Sequence, residues 1–422
     1  MPLDMRAQIV FSEFKNKLVA NTIRKDPTMQ YAAIPDAAAG WPIDDKVYTQ
    51  FIDLVIKQNA FLQKINVVDG LDSLMGNILR YGITGHVLKM TNVSDTVKRG
   101  PTIVGNGAAQ QYLLRPAEAD AHFPYNDLNH WARLGPDKMA ALIRNQIAEV
   151  LANDLLFVGF AGTSDGNPPA NANLSDFAKG WLQLLRDYNG SSQLMPQVVA
   201  GSNRITVGPV KVVQLDSAAV VNVGGGVVGL PATAHKLPAG AQVVVSGTTN
   251  YNGPALVLSS STANQINITK TYAAETLTAS SKATCTPDYR SLDHLVADLK
   301  NNIPQELRTG CEVIVSDDLR STDEEALYAQ VGNTPSEKLA IQAALEKISN
   351  MPVNQLSLAP AGTVLVTPPK NLALYMHKEI VRRIEDKPEM NGFVFWNTFG
   401  GLDYIVTDYR RAMGAENVSI IQ

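Results

Sequence analysis

Residues 136–160 read PDKMAALIRNQIAEVLANDLLFVGF, and this stretch decides how the chain is organised. Its apolar residues recur at the 3.6-residue spacing of one helix face. Pro136 suits the first helical position, where the missing N–H costs nothing. About 25 residues at about 1.5 Å each predict a rod of roughly 37 Å. The turn-rich GTSDGNPP at 162–169 ends it. We therefore expect one long helix, with the other elements arranged before and after it.

Two shorter amphipathic helices are predicted on the N-terminal side, at 5–20 and 44–61. The proline- and glycine-rich stretch between them, 27–42, indicates an extended arm. Residues 66–125 are β-like but rich in glycine, which is typical of a long hairpin with its tip around 98–101. Such a tip has little to bury by itself, so we expect it to be disordered or to lie on another subunit.

The composition changes after a further predicted helix, Ser175–Tyr188, for which Ser175 is the candidate N-cap. From 189 to 286 the chain is mostly Val, Thr, Ser, Ala, Gly and Asn, with short alternating strands between turn signals. Its charged residues are Arg204, Lys211, Asp216, Lys236, Lys270, Glu275 and Lys282. We expect an inserted all-β domain here, a small sandwich or barrel.

Helical and strand patterns alternate again after residue 287, so we expect the fold class α+β. The elements expected there are helices at 292–302, 321–330 and 336–348, strands at 311–316, 363–367 and 372–376, and long β segments over 394–420. The helix at 321–330 has a candidate capping box that begins at Ser321 or Thr322.

The sequence contains few motifs that indicate catalysis or ligand binding. Residues 224–229 match the spacing G-x-G-x-x-G, but Pro231 and Pro238 follow where a dinucleotide site needs a helix, so a glycine-rich β turn is the better interpretation. The acidic group 317–325 could bind a metal, but its place at a predicted helix start favours capping and dipole compensation. The Walker A motif of phosphate-binding loops, the zinc-protease motif HExxH and the serine-hydrolase motif G-x-S-x-G are missing from the sequence. We expect no enzyme, cofactor or metal.

Composition narrows the class of protein further. Charged residues make up 18% of the chain and the net charge is −4, without the basic patch that tight nucleic-acid binding needs. Cys285 and Cys311 have no metal-type spacing and are expected to be small buried residues. Neither a secretory signal nor an apolar run suited to a membrane helix occurs.

Charged residues that could contact another subunit lie in two places. Lys98 and Arg99 are at the predicted hairpin tip, with Arg115 beside the hairpin, and Arg382, Arg383, Glu385 and Asp386 belong to a mixed-charge run. Such a run is either a solvated face or an intersubunit contact that sets register, and we weigh the two evenly.

Several long segments, in the same order, resemble the major capsid protein of peduoviruses, the P2-like tailed phages. The likeness spans about three quarters of the chain. The segments that carry it are FLQKINVV (61–68), DLNHWARLGP (127–136), IRNQIAEVLANDLLFVGFAGTSDGNP (143–168), DFAKGWLQLLRDY (176–188), YRSLDHLVADL (289–299), CEVIVSDDL (311–319), TPPKNLALYMHKEIVRRIEDKP (367–388) and GGLDYIVTDYRRAMGAENVSI (400–420).

The resemblance implies a Hong Kong 97-type capsid fold, for which we expect six segments. These are an N-terminal arm and helix at 1–65, an extended hairpin loop at 66–126, a peripheral domain with a spine helix at 127–188, the inserted β domain at 189–286, an axial domain at 287–376, and strands returning to the peripheral domain at 377–422. We expect the inserted domain on the outer surface, where it would stabilise or decorate the shell.

The resemblance also implies a function and partners. Such subunits form hexamers and pentamers that close into an icosahedral head around double-stranded DNA, bound without sequence specificity. They assemble in the bacterial host cytoplasm with scaffold, protease and portal proteins, and they end in the virion. Family members commonly lose an N-terminal segment to the protease, and we expect this chain to keep its N-terminus or to be the form before cleavage. Lys89 and Lys98 are cross-linking candidates by analogy of fold alone.

Two rival functions remain at this point. An encapsulin-like shell would share the fold but enclose cargo enzymes instead of a genome. A hydrolase with an accessory β-sandwich would need an acid–base or nucleophile cluster, and the sequence shows none.

Overall fold

The computed structural model describes residues 5–22, 41–82, 106–165, 174–188, 204–330 and 346–421. The helices are α1 (Met5–Thr22), α2 (Asp45–Gln58), α3 (Tyr125–Trp131), α4 (Pro136–Ala161), α5 (Trp181–Asp187), α6 (Leu292–Asn302) and α7 (Asp317–Gln330). Short 3₁₀ turns lie at Ala132–Leu134, Gln305–Leu307, Pro369–Asn371, Pro388–Met390 and Tyr409–Arg411.

The strands are β1 (Trp41–Pro42), β2 (Asn66–Leu71), β3 (Met75–Gly82), β4 (Asn106–Leu113), β5 (Arg115–Glu118), β6 (Ala121–Pro124), β7 (Ile205–Val207), β8 (Lys211–Gln214), β9 (Val221–Gly224), β10 (Val227–Pro231), β11 (Gln242–Ser246), β12 (Gly253–Leu256), β13 (Gln265–Thr269), β14 (Lys282–Cys285), β15 (Glu312–Ser316), β16 (Lys347–Ile348), β17 (Met351–Leu356), β18 (Val364–Thr367), β19 (Leu372–His377), β20 (Ile380–Lys387), β21 (Gly392–Val406), β22 (Met413–Ala415) and β23 (Val418–Ile420).

The chain divides into two compact units, and helices and sheets together confirm the α+β class. Unit 1 consists of Met1–Leu184 and Lys370–Asp408, and unit 2 of Leu185–Pro369 and Tyr409–Gln422. The chain therefore passes from unit 1 to unit 2 and back once before its last residues rejoin unit 2.

Helix α4 is the predicted long helix of unit 1, 26 residues from Pro136. Met139 and Ile143 are buried in an aromatic core with residues of α1 and the sheet. Near its end, a Cβ at Gly159 would lie only 2.4 Å from the ring of Trp181, so the close contact requires glycine. The Trp181 indole N–H donates to the carbonyl of Ala373 at 3.0 Å, which gives this buried polar atom its partner.

The main sheet of unit 1 has the strand order β1-β20-β21-β19-β2, and β5 and β6 also pair with the long strand β21. The predicted helices at 5–20 and 44–61 are confirmed as α1 and α2. The Phe11 and Phe393 rings lie 4.0 Å apart, so α1 packs on this sheet through its apolar face. Asp44 is the N-cap of α2 and accepts the Lys46 N–H at 3.0 Å.

The predicted hairpin is confirmed in its stem, where β3 and β4 pair in register from Met75 with Leu113 to Gly82 with Asn106. Its tip at 98–101 lies outside the described residues, as do most of the arm at 27–42 and residues 336–345 of a predicted helix.

The helix predicted from Ser175 is wrong in its first part, since α5 begins only at Trp181. The Ser175 carbonyl accepts the Thr163 N–H at 2.6 Å, and Gly180 donates its N–H to the Gly162 carbonyl at 3.1 Å. These bonds tie the chain to the end of α4 and divert backbone groups that a helix would use.

The β region of unit 2 contains two sheets, β12-β11-β14-β8 and β13-β10-β9. Both bury apolar side chains in one shared core, which includes Val243, Val228, Ile266 and Cys285. Gly224, Gly225 and Gly226 have φ values of 92°, 62° and 77° and form the turn between β9 and β10. The glycine motif is therefore the predicted β turn, because these left-handed conformations favour glycine.

Unit 2 also contains a sheet of order β16-β17-β15-β18-β22 with α6 and α7, and the two-stranded sheet β23-β7. The predicted capping box at Ser321 is wrong, since α7 begins at Asp317 and the Ser321 O–H donates to the Asp317 carbonyl at 2.8 Å inside the helix. The expectation that all of 377–422 returns to the peripheral domain is wrong at its end, because β22 pairs with β18 and β23 with β7, both in unit 2.

Candidate intersubunit surfaces

The charged candidates fall into three groups in the structure. Lys98 and Arg99, like Lys89, lie outside the described residues. Arg115 begins β5, and its guanidinium forms an ion pair with Asp165. Arg382, Arg383, Glu385 and Asp386 lie together on β20, which pairs with β21 along its whole length.

Arg382 faces the interior of unit 1. Its Nε donates to Oδ1 of Asn397 at 2.7 Å, and its guanidinium lies 5.7 Å from the centre of the Phe51 ring. Burial lowers the pKa of Arg382 to about 10, because the charged form loses hydration. Asn397 is itself buried and donates to the carbonyl of Ala119 at 3.0 Å. This part of the charged run therefore stabilises the fold of unit 1.

Arg383 and Glu385 lie closer to the surface of the same strand. The Arg383 guanidinium lies 5.3 Å from the centre of the Trp396 ring, and its Nε is 3.3 Å from Oε1 of Glu385. The Lys387 ammonium lies 3.2 Å from Oε2 of Glu385. The hydrogen bond from Lys387 holds the pKa of the Glu385 carboxyl below its usual value. These partly exposed ion pairs can exchange partners at little cost.

Asp386 has a partner from a different element. Its carboxylate accepts the phenolic O–H of Tyr125, the first residue of α3. Burial and this hydrogen bond together raise the pKa of Tyr125 to about 12. Asp386 is thus exposed on one side and bound within the chain on the other.

Sequence reasoning missed Asp403, which lies at the base of the β3–β4 hairpin. Its carboxylate accepts the N–H of Leu113 at 3.0 Å and the N–H of Tyr404 at 2.9 Å. Burial raises the pKa of Asp403 to about 6, although these two hydrogen bonds act in the opposite direction. The signal that could have found it is a single acidic residue inside the apolar run at 402–406, because a buried carboxylate needs partners.

The base of the hairpin has two further contacts. Leu114 donates its N–H to the Leu74 carbonyl at 2.8 Å, and the rings of Tyr112 and Tyr375 stack with centres 5.5 Å apart. The hairpin stem is therefore held to the sheet of unit 1 by one carboxylate and one aromatic pair, besides its own backbone ladder.

A cavity of about 540 Å³ lies between α4 and the β5–β6 segment in unit 1. Its walls include the apolar side chains Ile147, Val150, Leu151, Phe123 and Phe177. The carboxylates among its lining residues are Glu118, Asp120, Asp127 and Asp154. Burial raises the pKa values of Asp120 and Asp154. An apolar groove with an acidic margin suits a segment that carries both apolar and basic side chains.

Metal and membrane sites have no support in the described part of the chain. No group of three or more His, Cys, Asp and Glu side chains there could hold a metal ion. Asp318, in the acidic group at the start of α7, instead accepts the Gly362 N–H at 3.1 Å. Among the described residues, no helix is long and apolar enough to cross a membrane.

Comparison with known proteins adds independent information. The family described as "Phage major capsid protein, P2 family" matches residues 28–225 and 255–418. The chain is similar to the capsid protein of Escherichia phage P2, 23% identical over 396 residues that cover 91% of this chain and 89% of that protein. The major capsid protein of Serratia phage KSP20 is also 23% identical, covering 91% of each chain.

A similar fold occurs in the procapsid of satellite phage P4, which was solved with its size determination protein. The TM-score is 0.55 at 20% identity, over 88% of this chain and 99% of that chain. The family match omits only 226–254 within the β region, a shorter stretch than the insertion predicted for 189–286.

Proposed function

Because this chain belongs to the P2 family of phage major capsid proteins, we propose that its copies form hexamers and pentamers that close into an icosahedral head around double-stranded DNA. Proteins of this family build the shell, so the chain is a structural part of the virion and not an enzyme. The observation that carries the proposal is the family match over both units, 28–225 and 255–418.

In this proposal, each segment is assigned to a part of the capsid fold from the helices and strands that it contains. Residues 1–65 are the arm and its helices, the β3–β4 hairpin is the extended loop, and α4 is the spine helix of a peripheral domain. The sheet around β15 and β18 belongs to the axial domain, to which the last strands β22 and β23 also return. This assignment corresponds to the Hong Kong 97-type plan, except that the C-terminal strands end in unit 2.

The partners proposed are those that a head needs for assembly: further copies, a scaffold and protease, a portal, and DNA held without sequence specificity. The net charge of −4 supports weak and non-specific DNA contact, because tight binding would need many cations against phosphates. Electron microscopy of the purified chain, alone and with candidate assembly proteins, tests the proposal. Closed icosahedral particles are expected, and small oligomers under every condition would contradict it.

The contents of the particles separate this proposal from a compartment shell. Heads should package DNA when a portal is present and should not carry an enzyme at constant ratio. A cargo enzyme that co-purifies with portal-free particles would instead favour an encapsulin-like compartment.

We infer that Lys98 and Arg99, at the tip predicted from the sequence, contact the acidic groove beside α4 of a neighbouring copy. The described stem pairs over eight residues of each strand, so it alone extends roughly 25 Å from its base. The basic pair is complementary to the carboxylates of Glu118, Asp120 and Asp154.

The contact can be tested by charge reversal. Lys98→Glu with Arg99→Glu should reduce the yield of closed particles at physiological salt. The matched control is Lys46→Glu with Lys57→Glu, which changes two exposed lysines of α2 and the net charge equally. Particles formed as well by the tip variant as by the control would show that this contact is wrong.

We further propose that the β domain projects from the outer surface of the head, since DNA occupies the inside. An epitope inserted between Gly225 and Gly226 tests this, because nothing lies within 4 Å of a Cβ at either residue. Intact particles should bind an antibody to the epitope as well as disrupted particles do. Binding only after disruption would place the domain inside.

A further inference from the structure

The outer side of the four-stranded sheet in the β domain carries a row of apolar side chains. Polar residues flank this row on the same side, namely Gln242, Ser246, Lys282 and Gln214. Strand pairing aligns Pro254 with Val244, Val244 with Thr284, and Thr284 with Val212, one residue from each strand. Their neighbours Val243, Ala283 and Val213 point the opposite way, into the core. Val244 is 50% exposed and Val212 57%, and Val210, just before β8, is 59% exposed. We call Val210, Val212, Val244, Thr284 and Pro254 the valine face.

The other sheet of the same domain covers part of its outer face, over β13 and β10, with polar contacts. The Gln265 side-chain amide donates to Oδ1 of Asn267 at 2.7 Å, and Nδ2 of Asn267 donates to the Ser260 carbonyl at 2.7 Å. The Gln265 side chain also covers Gly229, where a Cβ would lie 2.1 Å from its amide nitrogen. The outer side of this sheet is therefore partly covered by polar contacts within the chain, although Val221 and Val223 on its edge strand β9 are 42% and 45% exposed. The four-stranded sheet presents the more exposed valines to its surroundings.

The charges around the valine face indicate what covers it. Residues 189–286 hold five basic and two acidic side chains, and exposed Lys282 lies on β14 itself. The whole chain holds 36 basic and 40 acidic residues, so the remainder has an acidic excess. A second copy therefore offers complementary charge to the lysines, while the face itself buries no ion.

We propose that the valine face is an interface with a second copy of the chain in the assembled head. This proposal rests on the shell-forming function above and names one contact of the β domain in it. Apolar side chains in the centre with charges at the margin are the usual arrangement of a protein interface.

Thiol labelling of Val244→Cys tests the proposal, since the native residues Cys285 and Cys311 are buried and give little background. The maleimide reaction is measured on the unassembled subunit and on purified particles. Particle formation should slow labelling at position 244 by at least about tenfold, because a buried thiol is not accessible. The matched control is Thr269→Cys, exposed on the outer side of the other sheet, which should react at nearly the same rate in both states.

A photoreactive maleimide at position 244 identifies the molecule that covers the valine face. Cross-linking in particles should yield a product of twice the chain mass; a product with a different polypeptide would overturn the proposal. Equal labelling in subunits and particles, or equal protection at both positions, would also overturn it. If Val244→Cys impairs assembly, Val212→Cys carries the same test. If the unaltered chain forms no particles, the shell function fails instead.

Discussion

Strand β20 and the valine face differ in charge and in the partners that their side chains find. β20 carries the mixed-charge run, yet Arg382 binds Asn397, Arg383 lies over Trp396, and Asp386 accepts from Tyr125. The valine face has no ionisable side chain, and its valines remain exposed. A charged run in a sequence therefore shows where charges are, but not which molecule provides their partners.

The difference changes where intersubunit contacts are to be sought. Arg382 is committed to unit 1, whereas the partly exposed pair Arg383 and Glu385 can still take part in a contact with another subunit, which stays a prediction. The valine face gains most from such a contact, since burial of apolar area is favourable without any loss of ion hydration.

The largest effect is expected for Arg382→Ala in the unassembled subunit. The substitution leaves Oδ1 of the buried Asn397 without its donor and removes the cation from the Phe51 ring. We expect a loss of about 2–3 kcal/mol in the free energy of unfolding, measured by urea denaturation. The control is Val381→Ala, the neighbouring residue, which is 45% exposed and should change stability by less than about 0.5 kcal/mol. Equal small effects would mean that Arg382 is not part of the core.

Much of the local structure could be predicted from the sequence. The long helix α4 follows from its apolar spacing and Pro136, and the turn at 224–226 follows from three glycines. These features depend on neighbouring residues, whose conformational preferences are legible in the sequence itself. The segments that resemble the capsid family extended the prediction to the fold and to the shell-forming function.

The predictions that failed concern features that depend on residues distant in the sequence. The 175–180 segment has a helical pattern, but Thr163 and Gly162 hold its backbone groups. Strands β22 and β23 pair with strands of unit 2, and the sequence of an apolar strand does not indicate which strand it pairs with. Asp403 and the valine face were missed for the same reason, since pairing decides which side chains face inward or outward.

A carboxylate held within the chain should make stability depend on pH, which Asp403→Asn tests. The pKa of Asp403 is raised from 3.8 to about 6 by burial, so the folded chain binds a proton that the unfolded chain releases between these values. Stability from this group is therefore greatest at low pH and is lost as the pH rises through about 6. Relative to the Asn variant, the wild type should gain about 1 kcal/mol between pH 7 and pH 5.

The measurement is the difference in unfolding midpoint between the two proteins at each pH, which removes the contributions of all other groups. Glu118→Gln serves as control for an exposed carboxyl near the same strand. A constant difference from pH 5 to pH 7 would show that Asp403 titrates normally and does not retain its proton through burial.

Tyr125→Phe tests the Asp386 end of the charged strand. It removes one hydroxyl from a buried ring, and Asp386, which is exposed, regains water in its place. We expect a loss of about 1 kcal/mol, the usual net value of one hydrogen bond, because water can replace the hydroxyl at the exposed carboxylate. Tyr272→Phe is the control, since that ring is 40% exposed. A Tyr125→Phe effect no larger than the control would contradict the role of this bond in holding α3 to β20.

The smallest effect in the free subunit is expected for Val244→Thr, and its neighbour Val243→Thr is the matched control. Both substitutions keep a β-branched side chain of similar size. Val243 is 1% exposed, so its variant buries a hydroxyl in the core and should lose about 1–3 kcal/mol. Val244→Thr should change the free subunit by less than about 0.5 kcal/mol, because its hydroxyl meets water.

In assembled particles, the destabilising effect should increase for the substitution at position 244 alone. There the Val244→Thr hydroxyl would be buried once in every copy, so the particles should dissociate at a lower temperature than wild-type particles although the subunit unfolds normally. Particles of unchanged heat resistance would show that the valine face stays in water. The valine face and β20 would then differ in their charge but not in whether another subunit covers them. A lowered dissociation temperature would instead locate an assembly contact on the valine face.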